Sequence, residues 1–574
     1  MRDHDGAGPV NVQFGIRYGD TTLTTELLGK QLSGPFTIPS GIVTTAPAII
    51  QRVMDTMPEI GVITTKSIGF ESRLGNREPV YSQYAPGCFV NAVGLTNPGV
   101  EAALQGFQQL SVPADRFLLV SIFGGSVDEF VAVAKQLAPV ADGLELNLSC
   151  PHAKGYGMAM GQDPEMVHEV VAAVCDAVDI PVIPKLTPNV EDIAVIGRAA
   201  LEGGASALCA INTAGPGYTE SNGHPVLSNG IGGMSGKGLL PVTLKALKAL
   251  RAITDAPLIG CGGLSSAADC RDAMHCGATI LGIGSGLTGM NTGETQRYFA
   301  DLACDLDEGS DAAGKQVRFD VDMGFKPYRV VANDIVCDDI TVVTLDGDLD
   351  IQAGEYVFVW VPGVGEKPFS CLTHNPVRLA VINVGQFTDH CYQLSTGDAV
   401  YLRGPHGVAV TPPEDAHIVC VAGGTGLAAV YQIAEDFRSD DNPVDIFVGA
   451  RSADRLYFRD ECEDVARVTI ATDDGSAGFE GRVSDALAAF LADQPAEALA
   501  KMVFYNCGPA PMIQASEAVQ KEFVSSDRIF SAIDYLTKCG VGICGACASP
   551  DGRRICIDGP FITDGLTENR AASG

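Results

Sequence analysis

Four cysteines stand close together near the end of the sequence: Cys539, Cys544, Cys547 and Cys556. Their spacing is C-x4-C-x2-C, followed by eight residues and the fourth cysteine. The first three match the spacing that wraps a [2Fe–2S] cluster. Such a cluster passes one electron at a time, so the chain is expected to form part of an electron path. Gly540, Gly542 and Gly545 lie between the ligands and let backbone amides turn toward sulfur. A structural zinc site is the competing reading, because four thiolates can close a tetrahedron. Zinc ribbons normally use two C-x2-C pairs, and this cluster has a single one.

The elements that must carry such a site follow from length and pattern. A chain of 574 residues is too long for one core, and about two to four domains are expected. The net charge of −32 argues against a nucleic-acid partner, which would need clustered Lys and Arg. No run of about eighteen apolar residues occurs, so no membrane span is expected. The opening Met-Arg-Asp-His-Asp-Gly lacks the apolar core of a signal peptide. Fourteen of the 18 cysteines are scattered through apolar segments, which suits reduced thiols and a cytoplasmic location.

The first part alternates short apolar runs, Gly- or Ser-rich turns and amphipathic stretches. Eight strands are expected: 36–43, 61–67, 117–123, 143–148, 181–186, 206–211, 257–260 and 279–283. Helices over 164–178, 190–202 and 240–253 fall between them. This α/β pattern predicts a (β/α)8 TIM barrel over 1–305. An acidic, glycine-containing stretch reads as a linker over 306–316. Short alternating strands predict a small antiparallel β-barrel over 317–411. Renewed β–α alternation predicts a doubly wound nucleotide domain over 412–527. The cysteine module would occupy 528–574.

Barrel active sites form where strands end. Polar residues gather at those ends here: Ser40-Gly41, Thr65-Lys66-Ser67, Asn147-Leu-Ser-Cys150, Lys185, Asn212-Thr213, Gly262-Gly263 and Gly284-Ser285. With Gly232-Gly-Met-Ser-Gly236, the last two make three glycine turns near the final strands. A single glycine turn would only reverse the chain. Three together let backbone N–H groups approach a phosphate, and a phosphorylated cofactor is the economical reading.

Asn147-Leu-Ser-Cys-Pro151, Asn91-Ala-Val-Gly-Leu-Thr-Asn97, Thr65-Lys66, Ile211-Asn-Thr213 and the Gly232–Gly236 turn together resemble the class 1 dihydroorotate dehydrogenases, flavin enzymes of pyrimidine synthesis. The resemblance covers essentially the whole barrel. It implies FMN over the barrel mouth, held by Ser40, Gly41, Lys66, Lys185, Gly236, Gly262, Gly263, Gly284 and Ser285. It implies Cys150 as the base that removes a proton from C5 of dihydroorotate while the C6 hydride goes to the flavin. Asn91, Asn147, Asn212 and Thr213 would bind the edges of the pyrimidine. Gly94 and Leu95 would offer N–H groups to its carboxylate, and Lys66 would pair with the flavin or that carboxylate. His152 departs from the asparagine usual in the family. Dihydropyrimidine dehydrogenases also read Cys-Pro-His there, so NAD(P)H-dependent reduction of uracil or thymine is the alternative function. The Gly94-Leu95 turn favours dihydroorotate, since uracil has no carboxylate.

The second half resembles the electron-transfer subunit of the NAD-linked (class 1B) enzymes, a relative of ferredoxin reductases, here fused to the barrel. That implies FAD at Lys367-Pro368-Phe369-Ser370 and at the Gly385–Thr388 turn, with lysine where the family has arginine. Gly423, Gly424, Thr425 and Gly426 follow an apolar strand and open a helix, a place for the NAD pyrophosphate. Gly449-Ala-Arg-Ser452, Thr472-Asp-Asp-Gly475 and the Cys507-Gly508-Pro509 turn match reductase turns that bind the nicotinamide nucleotide. No residue that distinguishes NAD from NADP stands out. The resemblance then implies one circuit, dihydroorotate to FMN to [2Fe–2S] to FAD to NAD+, with the second half packed over the barrel mouth and the barrels paired as a homodimer. The reading from another class is an FMN barrel carrying a zinc docking module.

Overall fold

The computed structural model describes residues 15–18, 21–148, 160–533 and 535–563. Eight parallel strands close a barrel in chain order. They are β1 (Phe36–Thr37), β2 (Val62–Thr64), β3 (Phe117–Ile122), β4 (Gly143–Asn147), β5 (Val182–Leu186), β6 (Leu208–Ala210), β7 (Leu258–Cys261) and β8 (Ile280–Gly282). Each is followed by a helix: α1 (Pro47–Thr56), α2 (Val100–Gln108), α3 (Val127–Leu137), α4 (Pro164–Cys175), α5 (Ile193–Glu202), α6 (Leu240–Arg251), α7 (Ala267–His275) and α8 (Thr292–Glu308). The strands are nearly continuous apolar runs because helices cover one face and the barrel interior the other. Every residue of β3 is buried.

The strand expected over 36–43 stops at Thr37. Pro39 cannot donate to a ladder, and Gly41 turns the chain at φ +86°. The freed segment carries Ser40 and Gly41 to the mouth. Helix α1 ends at carbonyls that Arg116 collects: its guanidinium, on a residue 4% exposed, donates to Met54, Met57, Pro58 and Ile60 oxygens. Helix α8 opens on an Asn291/Glu294 capping box and ends at left-handed Gly309. The linker therefore begins after Glu308, three residues inside the stretch expected from sequence. Two excursions at the βα end form one four-stranded sheet, in the order Ala214–Gly217, Gly232–Gly236, Cys88–Asn91, Tyr81–Ala85.

Residues 317–325 run over the barrel, and the antiparallel strands begin at Lys326. Seven of them form a sheet whose outer strands are Gly365–Phe369 and Cys371–His374. The sheet curls around an apolar interior that includes Val343, Val357, Val359, Leu379 and Leu402. No ladder joins those outer strands among the described residues; the chain itself passes between them at Ser370.

A six-stranded parallel sheet follows. Its order is Phe479–Glu480, Arg467–Thr472, Val444–Ala450, His417–Gly423, Met502–Cys507, Ile529–Ala532. The last strand lies inside the stretch assigned from sequence to the cysteine module. Ile529 and Phe530 pair with Phe504 and Tyr505, so the nucleotide sheet extends past residue 527. No helix among the described residues is long and apolar enough to cross a membrane.

The only tryptophan in the chain, Trp360, is 2% exposed. It packs between Phe325 and Tyr401 at ring distances of 4.5 and 5.3 Å, with His224 of the barrel at its edge. Trp360→Ala is expected to destabilise the protein by about 3–5 kcal/mol. Urea unfolding followed by far-UV circular dichroism checks this; an unshifted midpoint would contradict the packing described.

Candidate active site

The strand ends at the barrel mouth are wired together by side chains. Ser40 Oγ lies 2.9 Å from Ser67 Oγ, and Ser67 lies 2.9 Å from Ser121 Oγ. Ser121 donates to Glu145 Oε1 at 2.9 Å, and Glu145 Oε2 faces Lys185 Nζ at 3.8 Å. Asn147 Nδ2 donates to Ser67 Oγ at 3.0 Å, and Asn212 Nδ2 donates to Asn147 Oδ1 at 3.1 Å. Barrel register makes this possible, since Glu145 lies beside Ser121 and Asn147 beside Lys185 on adjacent strands.

Glu145 and Lys185 are 1% and 5% exposed. Burial pulls the Lys185 ammonium toward neutrality, but the Glu145 carboxylate together with the Cys261 and Cys209 sulfurs holds the lysine above its ordinary range. Lys185 is thus a fixed positive charge in the floor of the mouth, suited to negative charge developing above it. Glu145 and Ser121 were missed from sequence. The available signal was a carboxylate inside an otherwise apolar strand, Gly-Leu-Glu-Leu-Asn.

Lys66 comes to the same mouth: its Nζ lies 3.7 Å from where a Cβ on Gly41 would stand. Thr213 caps Asn212 by donating its N–H to Oδ1 at 2.8 Å. Asn91 lies apart from these, on the four-stranded sheet, where its Nδ2 donates to Gly233 O at 3.3 Å. Gly94 and Leu95 both take positive φ, +83° and +57°. That conformation is costly for leucine and is held by Asn97, whose Nδ2 donates to Leu95 O at 2.9 Å. Cys150, His152 and the loop after them lie outside the described residues.

Of the three glycine turns, Gly236, Gly263 and Ser285 line one small cavity at the βα end. Gly262 and Gly284 stand beside it. Gly236 and Gly263 have no room for a side chain: a Cβ would stand 2.1 Å from Gly87 O and 2.5 Å from Leu240 N. Lys237, Ser265, Gly286 and Arg318, none singled out from sequence, complete the lining. Lys237 is fixed by Asp269 at 2.6 Å, and Arg318 by Glu294 at 2.6 Å and Gly289 O at 2.8 Å. Close-packed glycine backbone, two cations and two hydroxyls fit the phosphate of FMN.

In the antiparallel sheet, Lys367 and Phe369 sit on the strand Gly365–Phe369, and Pro368 lies between them. Lys367 Nζ binds the barrel residue Glu78 at 3.2 Å. Phe369 faces Phe387 at a ring distance of 6.2 Å. Thr388 Oγ1 accepts the N–H groups of Val384 and Gly385, both at 3.0 Å, and so ties the Gly385 turn.

The strand order of the parallel sheet reverses between His417–Gly423 and Met502–Cys507, the switch point where doubly wound sheets bind nucleotides. A cavity of about 550 Å³ opens there. Gly423, Gly424 and Pro509 line it, with Arg451, Asp473 and Arg482 around them. Gly426 begins the helix Gly426–Phe437, and a Cβ there would stand 2.2 Å from Cys507 O, so the two turns pack face to face. Thr425 stands just before that helix, and Gly508 turns at φ +151° beside Gly423.

Cys539, Cys544, Cys547 and Cys556 are all buried, free thiols. Backbone amides point at their sulfurs: Cys544 N–H donates to Cys539 Sγ at 3.5 Å, and Cys556 N–H donates to Cys547 Sγ at 3.4 Å. Gly542 N–H reaches Cys556 Sγ at 3.3 Å. Among the described residues no three His, Cys, Asp or Glu side chains gather on one point as a single metal ion would need. Four buried thiols met by backbone N–H donors fit an iron–sulfur cluster. The loop is seated on the barrel mouth. Val43 N–H donates to Ile543 O at 2.8 Å, and Gly289 N–H to Val541 O at 3.0 Å.

Removing the carboxylate under the mouth tests its electrostatics. Glu145→Gln leaves the Lys185 ammonium buried without its counter-charge and is expected to cost about 3–5 kcal/mol in urea unfolding. Adding Lys185→Met to Glu145→Gln should recover part of that loss; no recovery would refute the pairing.

The profile described as Dihydroorotate dehydrogenase matches residues 22–297, and that described as Oxidoreductase NAD-binding domain matches residues 420–518. The Pyrococcus horikoshii protein named dihydroorotate dehydrogenase B (NAD(+)), catalytic subunit, is 45% identical over 264 residues, covering 46% of this chain and 86% of that one. The Pyrococcus abyssi protein of the same name is 44% identical over 264 residues, covering 46% and 87%. A solved NADH-dependent reduced ferredoxin–NADP oxidoreductase aligns over 42% of this chain and 89% of its own, at 24% identity and a TM-score of 0.38. The chain belongs to the dihydroorotate dehydrogenase family, as an NAD-dependent class 1B oxidoreductase whose catalytic barrel is fused to a half that carries an oxidoreductase NAD-binding domain.

Proposed function

We propose that this chain oxidises dihydroorotate to orotate for pyrimidine synthesis and delivers the electrons to NAD+ within one polypeptide. The observation that carries this reading is the seating of the four-cysteine loop on the same barrel end that holds the Ser40–Lys185 network. When bound, FMN, a [2Fe–2S] cluster and FAD supply hydride acceptance at the barrel, single-electron relay, and hydride donation to NAD+.

The protein's own residues do the rest. Asn147 and Asn212, held together at 3.1 Å, present carboxamide donors and acceptors to the edges of a planar pyrimidine. The Gly94-Leu95 turn offers backbone N–H groups to the substrate carboxylate, with Asn91 and Lys66 flanking the ring. Cys150 takes the C5 proton as thiolate; a thiol with an ordinary pKa is only partly ionised at neutral pH, so its surroundings must favour the anion. Lys185 and the Gly236–Gly263–Ser285 cradle orient the flavin at its ring and phosphate ends. Lys367 through Ser370 with the Gly385–Thr388 turn hold FAD, and the Gly423–Gly426 and Cys507–Pro509 turns hold NAD.

Purified protein should form orotate from dihydroorotate with NAD+ and should fail to reduce uracil with NADH or NADPH; the reverse pattern would overturn the assignment. Cys150→Ser is expected to slow flavin bleaching by dihydroorotate about 100-fold or more at neutral pH, since general-base removal costs that order. Unchanged bleaching in stopped flow would remove Cys150 as the base. Anaerobically prepared protein should carry two irons per chain, with absorption beyond the flavin bands that Cys544→Ser abolishes. Zinc in active protein would end the relay scheme.

A further inference from the structure

Two ammonium groups from distant parts of the chain meet at one barrel carboxylate. Glu78 lies on the barrel segment between β2 and the Tyr81–Ala85 hairpin strand. Its Oε1 binds Lys538 Nζ at 3.2 Å, and its Oε2 binds Lys367 Nζ at 3.2 Å. Lys538 immediately precedes the first cluster cysteine, and Lys367 sits in the flavin turn of the antiparallel sheet. Glu78 and Lys538 are only 5% and 4% exposed. Burial alone would raise the Glu78 carboxyl, but Lys538, a backbone hydrogen bond and Lys367 together hold it below the ordinary carboxylate range.

The same barrel segment touches the substrate side. Lys538 Nζ also donates to Leu74 O at 3.0 Å. Asn76 donates its N–H to Val93 O at 2.9 Å and its Nδ2 to Ala92 O at 2.8 Å. Its backbone N would stand 2.6 Å from a Cβ on Gly94. Residues 74–78 are thus wedged between the Gly94-Leu95 turn and the residue next to Cys539. A second tie runs parallel: Arg403, ion-paired with Glu366, donates to Cys539 O at 3.0 Å.

We propose that Glu78 is a positioning residue that clamps the cysteine loop and the FAD-side turn to the substrate end of the barrel, so that electrons released there reach NAD+. It touches neither substrate nor reacting atoms in this arrangement. A buried ammonium at Lys538 is tolerated only opposite a carboxylate. Without one, the cysteine loop gains by moving Lys538 toward water, and it lengthens the path. Electron transfer slows steeply with separation, so the consequence falls on coupling between the halves rather than on either half. The inference rests on the relay proposed above.

The test uses the full-length holoenzyme with Glu78→Gln and Glu78→Asp. In Glu78→Gln, the kcat for orotate formation with NAD+ should fall about tenfold to a hundredfold, as small misplacements do. KM for dihydroorotate should hold. Anaerobic bleaching of the barrel flavin by dihydroorotate, and NADH oxidation with ferricyanide, should stay near the wild-type rates. Hydrogen exchange should rise over Lys538–Cys544 and Leu74–Glu78, and Glu78→Asp should restore much of the coupled rate. Unchanged coupled turnover, unchanged exchange, or equal losses in both half-reactions and the coupled rate would each overturn the proposal. Wild-type protein lacking the iron absorption would instead refute the relay, and the exchange result alone would then decide whether Glu78 clamps the loop.

Discussion

The four-cysteine loop is held to the barrel mouth by backbone contact. The turn from Cys539 to Cys547 lies against the βα loops so tightly that side chains have been excluded. A Cβ on Gly545 would stand 1.9 Å from Thr45 Oγ1, and one on Gly552 would stand 2.4 Å from Ala48 O. Arg554, 1% exposed, pins the same turn by donating to Gly542 O and, across the boundary, to Met290 O. Asp558 accepts the N–H and hydroxyl of Thr292 at 2.7 and 2.6 Å, at the first turn of α8. The cysteine module is therefore built into the barrel's rim, and loss of one such contact propagates to the thiols.

Three buried charge pairs join elements distant in sequence. Lys185 faces Glu145, Arg403 faces Glu366, and Lys538 faces Glu78. Each pair sits where two elements that are distant in sequence must keep a fixed separation. In low dielectric such pairs add little net stability, yet separating them is costly, so they select one arrangement over its near neighbours. His406 illustrates the same setting: burial, followed by the adjacent Arg403 charge, depresses its imidazole to about 3, leaving it neutral beside the cysteine loop.

Much of this was legible in the sequence. Apolar strands such as Phe117–Ile122 announce a parallel barrel because both faces are covered, and the cysteine spacing announces itself through ligand geometry. Residues at strand ends were readable as a set, since polar side chains recur there. Glu145 was not, because one carboxylate in an apolar strand has no periodic signature; its meaning depends on Lys185 across the ladder. Strand β1 read as too long, because Ile38, Ile42 and Val43 look like strand while Pro39 and Gly41 bend the chain. The last strand of the nucleotide sheet was assigned to the cysteine module, because four residues carry too weak a pattern to mark a boundary. Glu78 and Arg318 derive their partners from distant segments, which no local pattern encodes.

The passage of Val317, Arg318 and Phe319 over the glycine cradle has a consequence for how two genes become one. Phe319 O accepts the N–H of Gly87 and the Gln83 amide at 2.9 and 2.7 Å, so the first residues beyond the acidic stretch belong physically to the barrel. A cut at 306–316 would leave the barrel polypeptide without part of its own anion seat. A break beyond Phe319 would keep these residues with the barrel they pack on.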